Sequence, residues 1–296
     1  MGKKNKKWIP GSAPVSVIMI TLNEGHNLKG ILENLSGWAE NVFILDSYSK
    51  DNTIDIAISY GVEIYQRKFT NFGDQWNFAL ENLPIKSDWT MKIDPDERLT
   101  DELKANLKKS MFNSHSVGLC IDRHLLFMQK RLPVKDRLTR VWRSGTCRFT
   151  NVDVNEYPII SGSVEFVSGK LHHLDSPNLD HWLNKQNKYT TAEAIIRFQK
   201  KNFAVKPKLY GDRLQRRIFL KKHFYIIPGR YLLLFLYLYF IRGAWRAGLT
   251  GYRWTKLRVF VMRITEYKFI EMINSVREPS ETITGTGEPD QRAKQI

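Results

Sequence analysis

Apolar positions in the first hundred residues fall into short unbroken blocks, separated by amphipathic stretches. Residues 15–20 follow the loop signal Pro10-Gly11-Ser12 and read as a buried strand. A helix follows, with Leu28, Ile31, Leu32 and Leu35 on one face. The block at residues 42–45 is a second strand and ends at Asp46-Ser47. Residues 51–60 read as a helix that Gly61 stops. A third strand at 62–65, a helix at 73–83 and a fourth strand at 89–93 continue the alternation. Strands that are apolar throughout, each followed by a helix, predict an α/β fold built on a parallel sheet. Ligands in such sheets bind beyond the carboxyl ends of the strands. Thr21, Asp46 and Asp94 all fall there.

Near Val117 the pattern changes. Residues 117–121, 140–143 and 163–171 read as strands with turn-rich links, and 177–201 as a long helix. An eleven-residue apolar run at 231–241, fenced by Arg230 and Arg242, is too short to span a bilayer, which takes about 20 residues. Its tyrosines and flanking arginines suit a membrane interface. Downstream, Trp254, Leu257, Val261 and Ile264 form one helical stripe among Arg253, Lys256, Arg258 and Arg263. The pattern divides the chain into a basic tail (1–13), an α/β domain (14–200), an amphipathic helical membrane-association region (201–274) and a disordered tail (275–296).

Charge sharpens this division. The formal net charge is +16, and residues 200–268 alone hold seventeen Lys/Arg against two acidic residues. That segment therefore expects an anionic partner. A membrane surface fits better than nucleic acid, because no nucleic-acid motif accompanies the charge and the apolar run has no use on a phosphate backbone. The alternative is a helical subdomain that packs its apolar face on the α/β domain or forms a subunit interface in a homo-oligomer. Cys120 and Cys147 are too few for a disulfide framework and fit a reducing compartment. The basic start has no apolar core behind it, so no secretory signal is expected, and Lys6 stands where a myristoylation motif wants Ser or Thr.

The chemistry-bearing motif is Asp94-Pro95-Asp96-Glu97, at the end of the fourth strand. Two carboxylates one residue apart suit a hard divalent cation such as Mg²⁺ or Mn²⁺, which commonly shares its oxygen ligands with substrate phosphates. Asp-x-Asp turns are also common where they only solvate a loop.

An ordered set of segments resembles the family 2 glycosyltransferases, and within them the bacterial lipopolysaccharide-core β-glucosyltransferase-like group. It comprises Val17 to Glu24, Asp46 to Thr53, Phe72 to Leu80, Lys92 to Arg98, Val154-Asn155-Glu156, His173 and Lys185 to Tyr189, and covers residues 14–200. Asn155 stands where the group usually has His. The resemblance implies a GT-A nucleotide-sugar fold, a mixed sheet with flanking helices, and inverting transfer. Thr21, Asn23, Glu24, Asp46, Gln75, Asp94 and Arg140 are then expected to line the site of a UDP-sugar donor, with Asp46 accepting from the uracil N–H. Asp94 and Asp96, with His173 as a further candidate, are expected to hold the metal, and Glu156 to be the general base.

Each residue has a plainer reading. Asp46 can cap a turn, Glu156 can be a solvated loop residue, and His173 can be structural, with His172 competing for its role. Gln75 can be helix-surface polarity, while Arg140 and Arg143 can form a solvated strand face. The expected reaction is transfer of glucose from UDP-glucose to a lipid-linked saccharide at the cytoplasmic face of a bacterial inner membrane. Direct transfer to a polyprenyl phosphate and a non-catalytic basic binding protein are the alternatives.

Overall fold

A computed structural model describes residues 7–150, 156–199, 208–211, 215–216, 219–220, 223–275 and 288–295. The alternation read from the first hundred residues is present as β1 (Ala13–Thr21), α1 (Gly25–Leu35), β2 (Ala39–Asp46), α2 (Thr53–Tyr60), β3 (Glu63–Gln66), α3 (Phe72–Asn82) and β4 (Trp89–Lys92). There follow β5 (Glu97–Leu99), α4 (Asp101–Asn113), β6 (Gly118–Phe127), β7 (Lys130–Arg143), β8 (Cys147–Phe149), β9 (Pro158–Ile160), β10 (Val164–His173) and α5 (Leu179–Phe198). The C-terminal part holds α6 (Arg230–Leu236), α7 (Leu249–Ser275) and a short β11 (Lys294–Gln295).

Among the described residues, nine strands make one sheet in the order β11-β3-β2-β1-β4-β7-β6-β10-β5, and β8 pairs with β9 separately. β1 lies between β2 and β4, parallel to both, and its Val15, Val17, Ile18 and Met19 are all buried, which accounts for its unbroken apolar run. One face packs on α1, α2 and α4 through Leu28, Ile31, Leu32, Ile54 and Leu107. The other packs Ile18, Phe43 and Leu45 on Trp76 of α3 and Phe149 of β8. Gly61 sits at φ +70°, the left-handed cap its position predicts. Asn71 and Thr100 cap α3 and α4 by accepting from the backbone N–H groups of Asp74 and Leu103.

The sheet is mixed rather than wholly parallel. β7 runs antiparallel to both β4 and β6, because β6 and β7 form a hairpin whose return strand joins the parallel half. At the far edge, β5 pairs antiparallel with β10.

The C-terminal helices pack on the β6–β7 hairpin. Phe127, Leu132 and Val134 form a third core with Trp182 of α5 and with Ala244, Ala247, Trp254 and Val261. Close approach is built in at Gly251, where a Cβ would lie 1.8 Å from the Ala244 carbonyl oxygen. Of the stripe Trp254, Leu257, Val261 and Ile264, read from sequence as part of a membrane-association region, the first three join this core and so cover protein.

The run at 231–241 behaves differently. Leu232, Leu233, Phe240 and Ile241 are 64%, 53%, 55% and 77% exposed, beside exposed Trp245 and Leu249. Among the described residues, no helix is long and apolar enough to cross a membrane. Arg213, Arg217, Lys221 and Lys222, which belong to the basic excess of residues 200–268, lie outside the described residues, as do Asn155 and 276–287. Where disorder was expected at the C-terminus, residues 294–295 instead add β11 in parallel to the edge of β3.

Candidate active site

The site is assembled at the carboxyl ends of β1, β2 and β4, from loops that the parallel register brings side by side. Thr21 and Asp46 are partners in the β1–β2 ladder, and the Thr21 hydroxyl donates to Asp46 Oδ1 at 2.8 Å. Asp46 is fully buried and also accepts from Ser49 N, from the Ser49 hydroxyl and from Gln66 Nε2. The carboxylate expected to meet a nucleobase is thus engaged through both oxygens by its own loop.

Asn23 takes a left-handed conformation, φ +57°, that Asn tolerates. Its backbone N–H donates to the Ser49 hydroxyl, and its Oδ1 accepts from Lys50 N, tying the β1 and β2 loops together. Gln75 is buried rather than on a helix surface. It donates to the Ser47 hydroxyl at 3.2 Å and accepts from Arg67.

Glu24 opens α1 with its side chain turned inward. Burial pushes its carboxyl up to about 7, against the opposing hydrogen bond from Asn27 Nδ2, and nearby Asp96 adds to the rise.

The Asp94-Pro95-Asp96-Glu97 turn sends its two aspartates in different directions. Asp94 Oδ2 accepts from Arg140 at 2.9 Å. Arg140 also donates to fully buried Glu97 at 2.6 Å, and Glu97 Oε2 accepts from the Asp94 backbone N–H. Burial opposes ionisation of Asp94, but Arg140 and Lys92 outweigh it and hold the carboxyl down to about 2. Arg140 is itself buried, and Glu97 and Asp94 keep it firmly charged.

Asp96 faces His173. The β5–β10 ladder pairs His173 with Glu97 and His172 with Arg98. Alternation along β10 then turns the two histidines to opposite faces, and His173 is the one aimed at the site. His173 Nε2 lies 3.2 Å from Asp96 Oδ2. Burial lowers the basicity of His173, but the Asp96 carboxylate reverses this and raises it. Asp96 is driven well below the carboxylate range by His173 and Lys185, in spite of its burial.

Asp175, held at φ +52°, brings a third ligand-type side chain. Donor atoms of Asp96, His173 and Asp175 all lie within 4.8 Å of one another. Asp96 Oδ1 is buried and has no hydrogen-bond partner among the described residues. An orphaned buried carboxylate oxygen beside a histidine and a second carboxylate fits a divalent cation, with Asp96, His173 and Asp175 as its holders. Asp94 is not in this group, because Arg140 takes its side chain.

Glu156 lies at the described edge of the loop after β8 and forms an ion pair, through Oε1, with the Lys92 ammonium. Lys92 sits 4.3 Å from the centroid of the Trp76 ring. The two half-sites join electrostatically, since Glu156 acts on Arg140 and Lys92 acts on Asp94.

Sequence reasoning gave no role to Lys92, Glu97, Asp175 or Lys185. Lys185 Nζ reaches Asp96 Oδ2 at 3.2 Å and Asp175 Oδ1 at 3.2 Å. A signal for Asp175 was present in His173-Leu174-Asp175, two ligand types one residue apart. Both lysines stand in segments that carry the family resemblance, but their ion pairs with Glu156 and Asp96, 64 and 89 residues away, are set by the fold.

Comparison with known proteins agrees with the motifs. Residues 16–163 match the model of "Glycosyl transferase family 2". The chain is 31% identical over 251 residues to the lipopolysaccharide core biosynthesis glycosyltransferase LpsC of Rhizobium meliloti, covering 81% of this chain and 85% of the relative. It is 25% identical over 201 residues to an uncharacterized glycosyltransferase of Rickettsia prowazekii, covering 61% of this chain and 66% of that protein's length. Among solved structures, Staphylococcus aureus TarS 1–349 in complex with UDP-GlcNAc aligns over 93% of this chain and 99% of that one, at 13% identity and a TM-score of 0.46. The chain belongs to glycosyl transferase family 2.

Proposed function

We propose that the protein is a metal-assisted inverting hexosyltransferase that moves glucose from UDP-glucose to a lipid-linked saccharide in lipopolysaccharide or surface-glycan assembly. The observation that carries this reading is the buried, unpartnered Oδ1 of Asp96 beside His173 and Asp175. The relation to LpsC supports a lipopolysaccharide-type acceptor.

In this reading Glu156 is the general base. Its carboxylate takes the proton of the acceptor hydroxyl, the freed oxygen bonds the anomeric carbon, and the bond from that carbon to the diphosphate oxygen breaks with inversion. Lys92 keeps the Glu156 carboxylate in place. Asp96, His173 and Asp175 would hold Mg²⁺ or Mn²⁺, which when bound supplies neutralisation of the leaving diphosphate. Asp94, Arg140 and Glu97 stiffen the turn that carries Asp96. Thr21, Asn23, Glu24, Asp46 and Gln75 shape the edge that receives the nucleoside.

The exposed apolar surface of 231–241 would rest on the anionic cytoplasmic face of the membrane, where a lipid-borne acceptor is presented. The basic residues around it contribute about 1 kcal/mol each near such a surface.

Thermal-shift binding of a panel of nucleoside diphosphate sugars, with and without Mn²⁺, tests the donor site. One UDP-sugar should stabilise the wild type in a metal-dependent way, and Asp96→Ala should lose the effect. No stabilisation by any donor would remove the reading.

A further inference from the structure

Lys185 occupies an unusual place. It projects from α5, a helix anchored by buried Trp182 against Phe127, into the group formed by Asp96, His173 and Asp175. Its ammonium makes three contacts: Asp96 Oδ2 at 3.2 Å, Asp175 Oδ1 at 3.2 Å and the Asp175 carbonyl at 3.1 Å. These oxygens come from the same two residues that would flank a divalent cation. With Lys185 present, one positive charge already bridges the carboxylates, while Asp96 Oδ1 is left without a hydrogen-bond partner among the described residues.

A monovalent ammonium and a divalent cation cannot share this space without strong like-charge repulsion in a partly buried setting. We propose that Lys185 is a built-in competitor for the metal: it bridges Asp96 and Asp175 in the free protein and must leave them for the cation to bind. This inference rests on the metal-site reading above. The displaced ammonium stays close to the cation, so occupancy is unfavourable until an anionic diphosphate enters and neutralises both. Metal and nucleotide binding are thereby coupled. The cation binds weakly alone and tightly with a nucleoside diphosphate, and the lysine that opposed it becomes a second positive group facing the diphosphate.

The test is Mn²⁺ binding to the full chain, followed by electron paramagnetic resonance of the free ion, with and without UDP. Wild type, Lys185→Met and Asp96→Asn are compared after circular dichroism has established folding. Lys185→Met should bind Mn²⁺ alone about tenfold tighter than wild type, the scale of one nearby charge removed in a medium of intermediate dielectric. The gain in Mn²⁺ affinity on adding UDP should be smaller in Lys185→Met than in wild type. Mn²⁺ affinity in folded Lys185→Met that is equal to or weaker than wild type, with Asp96→Asn still abolishing binding, would overturn the competitor role and leave the metal site standing. Absence of Mn²⁺ binding in every protein, or binding indifferent to Asp96→Asn, would instead overturn the metal site and the inference with it.

A second measurement needs no variant. Reductive methylation of wild-type Lys185, quantified by mass spectrometry, should run several-fold faster at a Mn²⁺ concentration that the resonance titration shows to saturate the site, because displacement frees the amine. An unchanged labelling rate would argue against displacement.

Discussion

Lys92 and Glu156, 64 residues apart in sequence, form an ion pair whose lysine also rests on the Trp76 ring. The aromatic wall fixes the ammonium, and the ammonium fixes the carboxylate. Without it, Glu156 at the end of the loop after β8 loses the sheet residue with which it forms its ion pair. With Glu156 as the proposed base, Lys92→Met should therefore lower kcat by about 10- to 100-fold, the cost of a misplaced base, with donor KM little changed. Lys92→Arg should recover part of the loss, while Glu156→Gln should cost about 100- to 10,000-fold. Steady-state kinetics at varied donor concentration decide this. A Lys92→Met defect lying wholly in donor KM would place the lysine on the donor instead.

Glu24 gives a pH-dependent stability. Its folded value of about 7 lies above the ordinary 4.5, so the folded state favours the protonated form. The stabilisation linked to that proton is complete below about pH 4.5 and is lost as the pH rises through about 7. Glu24→Gln cannot ionise and escapes the loss. Its Tm should match wild type near pH 4 and exceed it by about 2–4 °C at pH 8. Calorimetric scans at the two pH values are sufficient, and a mutant advantage that is the same at both would refute the assignment.

Exposed side chains of the 231–241 run give the membrane prediction. Replacing both Leu232 and Phe240 by Asp removes apolar contact from a surface that is already solvated, so the fold should tolerate it. Flotation with vesicles containing anionic phospholipid should drop at least about tenfold, because each inserted apolar side chain contributes on the order of 1–2 kcal/mol. Raising the salt should weaken wild-type binding as well. Equal flotation of the double mutant and wild type would assign this surface to something other than lipid.

Much of the first half was legible in the sequence because its signals are local. Apolar blocks marked β1 to β4, Gly61 marked the end of α2, and Asp94 to Glu97 marked the loop beyond β4. Later features depend on pairing between distant residues. The antiparallel entry of β7 beside β4 follows from a hairpin register that composition does not encode locally. The division of labour between Asp94 and Asp96 follows from Arg140 and His173, each supplied by a strand far along the chain. The choice of His173 over His172 needed the β5–β10 register. The stripe on α7 was correctly seen as apolar, but periodicity alone cannot say whether protein or lipid covers it, and here Phe127 and Trp182 belong to the cluster it joins.

The segment that leads into the edge strand β11 is tied to β3. Asp290 donates its backbone N–H to Gln66 Oε1, and Gln66 in turn donates to Asp46. A contact across 224 residues closes a very large loop, so it forms only after both segments are made. Shortening the chain before Asp290 would thus loosen the mooring of a carboxylate it never touches, and a tag placed there would tug on the same line.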